Sequence, residues 1–241
     1  MTIFSNKTLF NTHFFYLILI FLFSFFINFY YAKFGSFPID TFLHYDSAFK
    51  ILNNEFPVRD YWIVSGFIVD FFQSFFFKIL GVNWFAYTFH SSIFNFVISA
   101  LSYHFFLSFN VSKTKSLIYT LSFATLAYTI SGTPFVDHHA TFLLLAGTIF
   151  LVLGIKTNLL RYWFLSPWFF GLSFLSKQVP SSYMIVVTSV ILVVYFIIER
   201  NKKALFYLTS SSILFLFLSS IVIIYLDISF KNFYVQYILY P

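Results

Sequence analysis

The tripeptide Asp137-His138-His139 closes the run Gly132-Thr133-Pro134-Phe135-Val136, placing a carboxylate and two imidazoles between one apolar stretch and the next. Such a cluster is able to bind a divalent metal or a phosphate, or to hydrogen-bond sugar hydroxyls. Adjacent His side chains diverge, so the two imidazoles of this segment alone do not serve one ion. A divalent metal on Asp137 and His138 is the one cofactor expectation, and a polar helix cap at headgroup level is the plain alternative. Lys177-Gln178 precedes Val179-Pro180 at the end of another apolar stretch. An ammonium there is a point charge suited to an anionic phosphate, although a lone Lys at a span end also snorkels to the interface with no further role. Asp40 holds an N-cap position. Asp46 and Lys50 form an i,i+4 pair worth roughly 0.3 kcal/mol, and Asp60 follows Arg59 in a turn. His90 and His104 lie nearly on one helical face and are read as helix contacts.

The elements that carry these groups are membrane helices. Of 241 residues, 60% are apolar and only 9% charged, and Phe alone accounts for 41. A soluble domain has a charged fraction near a quarter. The absence of Cys removes disulfides, thiolate nucleophiles and cysteine metal sites together. The formal charge of +6 comes from cations scattered in ones and twos, which is no footprint for nucleic acid. Uncharged runs at Phe14 to Ala32, Phe85 to Leu107, Leu117 to Phe135, Ala140 to Ile155, Tyr162 to Ser176, Val179 to Ile198 and Ala204 to Leu226 each approach the roughly 20 residues a spanning helix needs. The expected fold is all-α, a polytopic membrane helix bundle of about seven transmembrane helices, because only helices and closed barrels pair their backbone groups without water. The first run is too long for a signal-peptide core and lacks a small-x-small cleavage site, so it is expected to stay as a span.

An eighth stretch, Gly66 to Leu80, is not expected to cross. It repeats Gly66, Asp70, Ser74 and Lys78 every four residues with Gln73 alongside, the pattern of an interfacial amphipathic helix. Leaving it outside also sorts the loops beyond the second span. Lys113, Lys115, Lys156, Arg161, Arg200, Lys202 and Lys203 then lie inside with Lys7, against Lys177 and Lys231 outside, as the positive-inside rule asks. Every acid but Glu199 falls on the outer side. Residues 33 to 84 are therefore an outer loop of two amphipathic helices within a single membrane domain, 1 to 241. In the first helix Phe42, Tyr45, Phe49 and Leu52 form an apolar stripe opposite Asp46, Lys50 and Asn53. Trp62 and Trp84 are placed as interface anchors.

The run from Asp40 to Trp62 resembles the first outer loop of the GT-C membrane glycosyltransferases, which include lipid A aminoarabinose transferases and protein O-mannosyltransferases. That loop carries an acid, an amphipathic helix and then Gly-x-x-Pro-Tyr-x-Asp. The stretch from Ser65 to Trp84 and the run Gly171-Leu172-Ser173-Phe174-Leu175-Ser176-Lys177-Gln178 are similar to later elements of the superfamily, and Asp137 matches the acid after its third span. The chain departs from the pattern at Asn54, Val58 and Ile63-Val64. The last two positions hold a metal ligand and a phosphate-binding Lys in the aminoarabinose transferases. Family members also run to about twice this length, so the chain corresponds to the N-terminal part of their architecture.

The resemblance implies an enzyme of the cytoplasmic (inner) membrane with its active face outside. It would take a sugar from a polyprenyl phosphate donor to a hydroxyl of a cell-envelope lipid (lipopolysaccharide included), glycan or protein. By the same resemblance Asp40 is the base on the acceptor hydroxyl, with Asp46 second. Lys177 or Arg59 faces the donor phosphate, and Asp137, His138, His139, Asp60 and Gln178 contact substrate or metal. A truncated, non-catalytic remnant is the first alternative. A transporter is the second, and it would need ionisable groups inside the spans, which hold none beyond His and Tyr.

Overall fold

The computed structural model describes residues 3–34, 38–63, 65–128 and 131–240. Val64, residues 129–130 of the expected span from Leu117 to Phe135, and the side chain of Lys7 lie outside the described residues. The chain is an all-helical membrane protein, with no β-strand among the described residues. In chain order the helices are α1 (Ile3–Tyr31), α2 (Pro38–Leu52), α3 (Ile68–Leu80), α4 (Trp84–Ser108), α5 (Lys113–Ala127), α6 (Val136–Thr157), α7 (Leu160–Ser176), α8 (Gln178–Glu199), α9 (Lys202–Tyr225) and the short α10 (Phe230–Tyr234), which runs into a π turn over Val235–Leu239. Among the described residues, five segments are long and apolar enough to cross a membrane: Thr12–Tyr31, Trp84–Ser108, Val136–Thr157, Gln178–Glu199 and Lys202–Tyr225. The chain divides into two compact units.

The first unit, Met1–Phe42 with Leu80–Pro134, packs α1, α4 and α5 together. Phe21 meets Phe96, Phe25 meets Phe89 and Phe29 meets Phe85, with ring centroids 5.1 to 5.4 Å apart. Numbers rise on α1 as they fall on α4, so the two helices are antiparallel and the segment joining them leaves and returns at one end. Hydrogen bonding adds to the fit where lipid offers no alternative partner. The Asn95 amide nitrogen donates to Asn28 Oδ1 at 2.8 Å and to the Ala124 carbonyl at 2.9 Å. Helix α5 has 15 residues and rises only about 22 Å. The expected span from Leu117 to Phe135 is thus corrected: the helix stops at Ala127 and the next starts at Val136. Between them Gly132 adopts φ +64°, and a Cβ there would stand 2.2 Å from the Asn28 carbonyl oxygen. Pro134 then follows outside any helix, where its missing N–H costs no helical hydrogen bond, and Phe135 is extended.

The second unit, Leu43–Ile79 with Phe135–Pro241, is built on the α6–α7 hairpin. Gly154 lies against Trp163 and Gly147 against Phe170, and the Ser173 hydroxyl donates to the Ala140 carbonyl at 2.7 Å. These pairs run in opposite directions, so α7 retraces nearly the whole of α6 despite having 17 residues and an internal Pro167. Small residues let the backbones approach closely. Helix α9 packs on α7 through Ser211 to the Phe164 carbonyl and Gly171 against Phe215. Both α8 and α9 leave most of their Val, Ile, Leu and Phe side chains exposed, as a lipid-facing surface does.

The amphipathic assignment of α3 inverts, and that of α2 holds for its polar face, with Asp46 and Asn53 exposed, but not for its apolar stripe. On α3 the polar stripe turns inward, with Asp70 and Gln73 fully buried and Ser74 buried, while Phe75 is 58% and Ile79 62% exposed. On α2 the inward residues are Thr41, His44, Ser47, Ala48 and Ile51, and the Phe42 and Phe49 side of the expected stripe is exposed. At an apolar boundary the aromatic face gains nothing by leaving the hydrocarbon, whereas polar groups gain partners inside the protein.

Candidate functional site

The polar end of the second unit begins where α6 starts and α7 stops. Phe135 is extended and opens α6, which puts Asp137 in its first turn. Lys177 caps α7 in extended backbone before α8 begins. The two side chains close into an ion pair, Lys177 Nζ to Asp137 Oδ1 at 2.6 Å, with 34% and 42% of each side chain exposed. A pair this open is worth about 0–1 kcal/mol to stability, and its ammonium is within reach of an incoming anion.

The neighbours of Asp137 point elsewhere. His138 lies between the rings of Phe135 and Phe142, with centroids at 5.5 and 6.0 Å. His139 is buried, its Nδ1 donating to the Phe135 carbonyl at 3.0 Å. Successive helical residues are about 100° apart, which is why the three side chains do not converge. Among the described residues no group of three or more His, Asp or Glu is placed to hold a metal ion. The residues present thus do not form a metal cage around Asp137 and His138. Gln178 is buried and donates to the Tyr237 carbonyl at 3.2 Å, and the Tyr237 hydroxyl donates to the Phe174 carbonyl at 2.6 Å.

The chain between α2 and α3 is bound onto this end. Gly66 lies so close to the last turn of α7 that a Cβ would stand 2.2 Å from the Leu175 and Ser176 carbonyl oxygens. Val58, Ile63 and Phe67 pack with Ile223, Ile228 and Tyr237. Arg59 is spent within the loop: Nη2 lies 2.7 Å from Asp60 Oδ2 and donates to the Asn54 carbonyl at 2.7 Å, while Nη1 donates to the Leu226 carbonyl at 3.2 Å. Asp60 also accepts from the Phe56 N–H at 2.7 Å. The Arg59 hydrogen bond, followed by that of Phe56, holds the Asp60 carboxyl below its usual range. Asn54 takes φ +64°, the left-handed conformation that explains a Gly in the superfamily pattern, and Val58 takes φ +72°, which a β-branched residue adopts only where its surroundings hold it.

Of the two expected bases, Asp46 is paired with Lys50 at 2.8 Å on the exposed side of α2. Asp40 lies in the first turn of α2, in the first unit, exposed and with no hydrogen bond or ion pair among the described residues. A pair that the sequence reading missed is His44 with Asp70, Nδ1 to Oδ1 at 2.8 Å, both side chains buried. Its one signal in the sequence is the polar stripe on α3, which an amphipathic pattern by itself directs to the wet side.

An apolar cavity of about 280 Å³ lies between α7, α8 and α9, lined by Pro167, Phe170, Gly171, Ile185, Leu192 and Phe215 among others and reaching Phe174, three residues before Lys177. Residues 64–225 match the family model of the dolichyl-phosphate-mannose-protein mannosyltransferases. No curated protein and no solved structure matches the chain.

Proposed function

The chain belongs to the dolichyl-phosphate-mannose-protein mannosyltransferase family, whose members are GT-C membrane glycosyltransferases, and from that premise we propose that it moves a sugar from a polyprenyl phosphate donor to a hydroxyl of an envelope lipid, glycan or protein outside the inner membrane. The observation that carries this reading is the half-exposed Lys177–Asp137 pair at the end of α7, the helix whose flank also lines the apolar cavity as far as Phe174, three residues earlier. A donor of this class is a phosphate on a long apolar chain. Lys177 would take the phosphate in exchange for Asp137, and the cavity would take part of the chain. Charge building on the leaving phosphate is then offset by a cation already in place.

Asp40 is the proposed base on the acceptor hydroxyl, since its carboxylate is exposed and uncommitted; Asp46 is second, because Lys50 holds it. Arg59 and Asp60 are assigned to holding the loop shape, given their mutual pairing and the carbonyls that Arg59 binds. Asp137 is assigned to the edge of the proposed phosphate position, freed for acceptor contacts once the phosphate is bound, while His138, His139 and Gln178 are assigned to shaping the end of α6 and the start of α8 around it. Residues 1–241 are proposed to act as one membrane module with seven crossings, α5 and α7 crossing as short helices.

The test is transfer from a labelled polyprenyl phosphate sugar by the full chain in membrane vesicles. Label should appear on lipid, glycan or protein and vanish with Asp40→Asn. Absence of transfer from every polyprenyl phosphate sugar tried, by a chain that inserts and accumulates, would overturn the reading.

A further inference from the structure

Helix α2 has two faces able to pack. One carries Phe42, Tyr45, Phe49 and Leu52, the other Thr41, His44, Ser47, Ala48 and Ile51. Apolar area alone favours the first, yet the second is buried. Helix α3 repeats the choice by turning Asp70, Gln73 and Ser74 inward and Phe75 outward. A directed contact links the two choices, the His44 Nδ1 to Asp70 Oδ1 bond at 2.8 Å. A helix turn is 3.6 residues, so rotating α2 to bury Phe42 and Phe49 would swing His44 away from Asp70.

The energetics point the same way. Asp70 is fully buried, and its Oδ2 has no hydrogen-bond partner among the described residues. A buried pair of this kind stabilises little compared with an apolar pair of equal volume, and its attested use is to select one arrangement over another. Around it Ser47 bonds the Tyr61 hydroxyl at 2.7 Å, and the Lys50 ammonium stands 5.0 Å from the centre of the Tyr61 ring. Burial first, with the Asp70 charge adding to it, pushes the Tyr61 phenol above its usual range and keeps it a neutral donor or acceptor.

We propose that His44 and Asp70 are positioning residues: their bond sets the rotation of α2 in the second unit, and so keeps Asp46 and Lys50 on the accessible side while Ser47 stays against Tyr61. The part that concerns Asp46 in transfer rests on the function proposed above; the rotation itself does not.

The absence of Cys allows a direct test. A single Cys at Ser47, a near-isosteric change at a buried position, should resist a thiol reagent in the otherwise native chain, and Phe49→Cys should react. Adding Asp70→Leu should raise labelling at position 47 by about tenfold or more as the bond is lost, while Asp70→Asn, whose amide oxygen still accepts from Nδ1–H, should leave it near native. Ser173→Cys, buried within the α6–α7–α8 packing, reports overall integrity. If it also labels in the Asp70→Leu background, His44→Phe replaces that variant and the same comparison is made. Labelling at position 47 within about twofold of native, with position 173 protected, overturns the proposal whether or not any transfer is measurable. Where transfer is measurable, Asp70→Leu should lower kcat with the donor KM unchanged and Asp70→Asn should recover most of it; equal losses in both would remove the positioning role.

Discussion

Lys177 Nζ meets Asp137 Oδ1 at 2.6 Å across 40 residues of sequence, tying the extended cap of α7 to the first turn of α6. The bond forms because α7 runs back along α6 through Gly154, Gly147 and Ala140 until the two ends coincide. If the donor phosphate exchanges with Asp137, Lys177→Met should weaken donor binding on the order of 10- to 100-fold, the worth of one charged hydrogen bond. Lys177→Arg should recover part of the loss. Thermal unfolding in detergent should change little in either variant, since the pair is half exposed. Equal donor affinity for wild type and Met would remove Lys177 from the site.

Asp40→Asn preserves the size of a side chain that lies in the first turn of α2, past the N-cap position expected from the sequence, while removing the base. Transfer should fall by about 100- to 10,000-fold with insertion and accumulation unchanged. Activity within a few fold of wild type would hand the role to Asp46.

Gly66→Ala places a methyl group against the Leu175 and Ser176 carbonyls, backbone that cannot swing aside. Loss of about 1–3 kcal/mol is expected from such overpacking. It should appear as a lowered unfolding temperature and as raised proteolysis between residues 53 and 67. A native-like variant would mean the loop does not seat on α7.

The 33–83 connection starts and ends at one end of the antiparallel α1–α4 pair, and α3 has only 13 residues, a rise of about 20 Å. Single Cys at Glu55 and at Val82, both exposed, should therefore react with an impermeant reagent from the same side of the membrane. Reaction from opposite sides would make α3 a span.

Asp60 gives the pH prediction. Its folded-state pKa lies below the ordinary 3.8, so its bonds to Arg59 and the Phe56 N–H stabilise the loop fully above that value and are lost as pH falls through the folded pKa. A fluorophore on a single Cys at Glu55 should report a constant loop from neutral pH down to about 5 and a transition only below the ordinary value. Asp60→Asn should flatten that profile.

Membrane class and helical fold were legible in the residues themselves, because span length and charge content are local properties. So was the GT-C resemblance, carried by loosely spaced motifs and matched over residues 64–225. The end of α5 was misread because Gly132, Thr133 and Pro134 carry no charge and extend an apolar run that the backbone cannot follow as a helix. Only tertiary structure decided which faces of α2 and α3 turn inward. Lipid and protein interior are both apolar, so hydrophobic period in a membrane protein marks a face without saying which side it meets. For the same reason the partners of Lys177, Arg59 and His44 were out of reach of the sequence. Each lies where helices of different register come together, at Asp137, the Leu226 carbonyl and Asp70, and helix packing rather than spacing along the chain brings those groups within bonding distance.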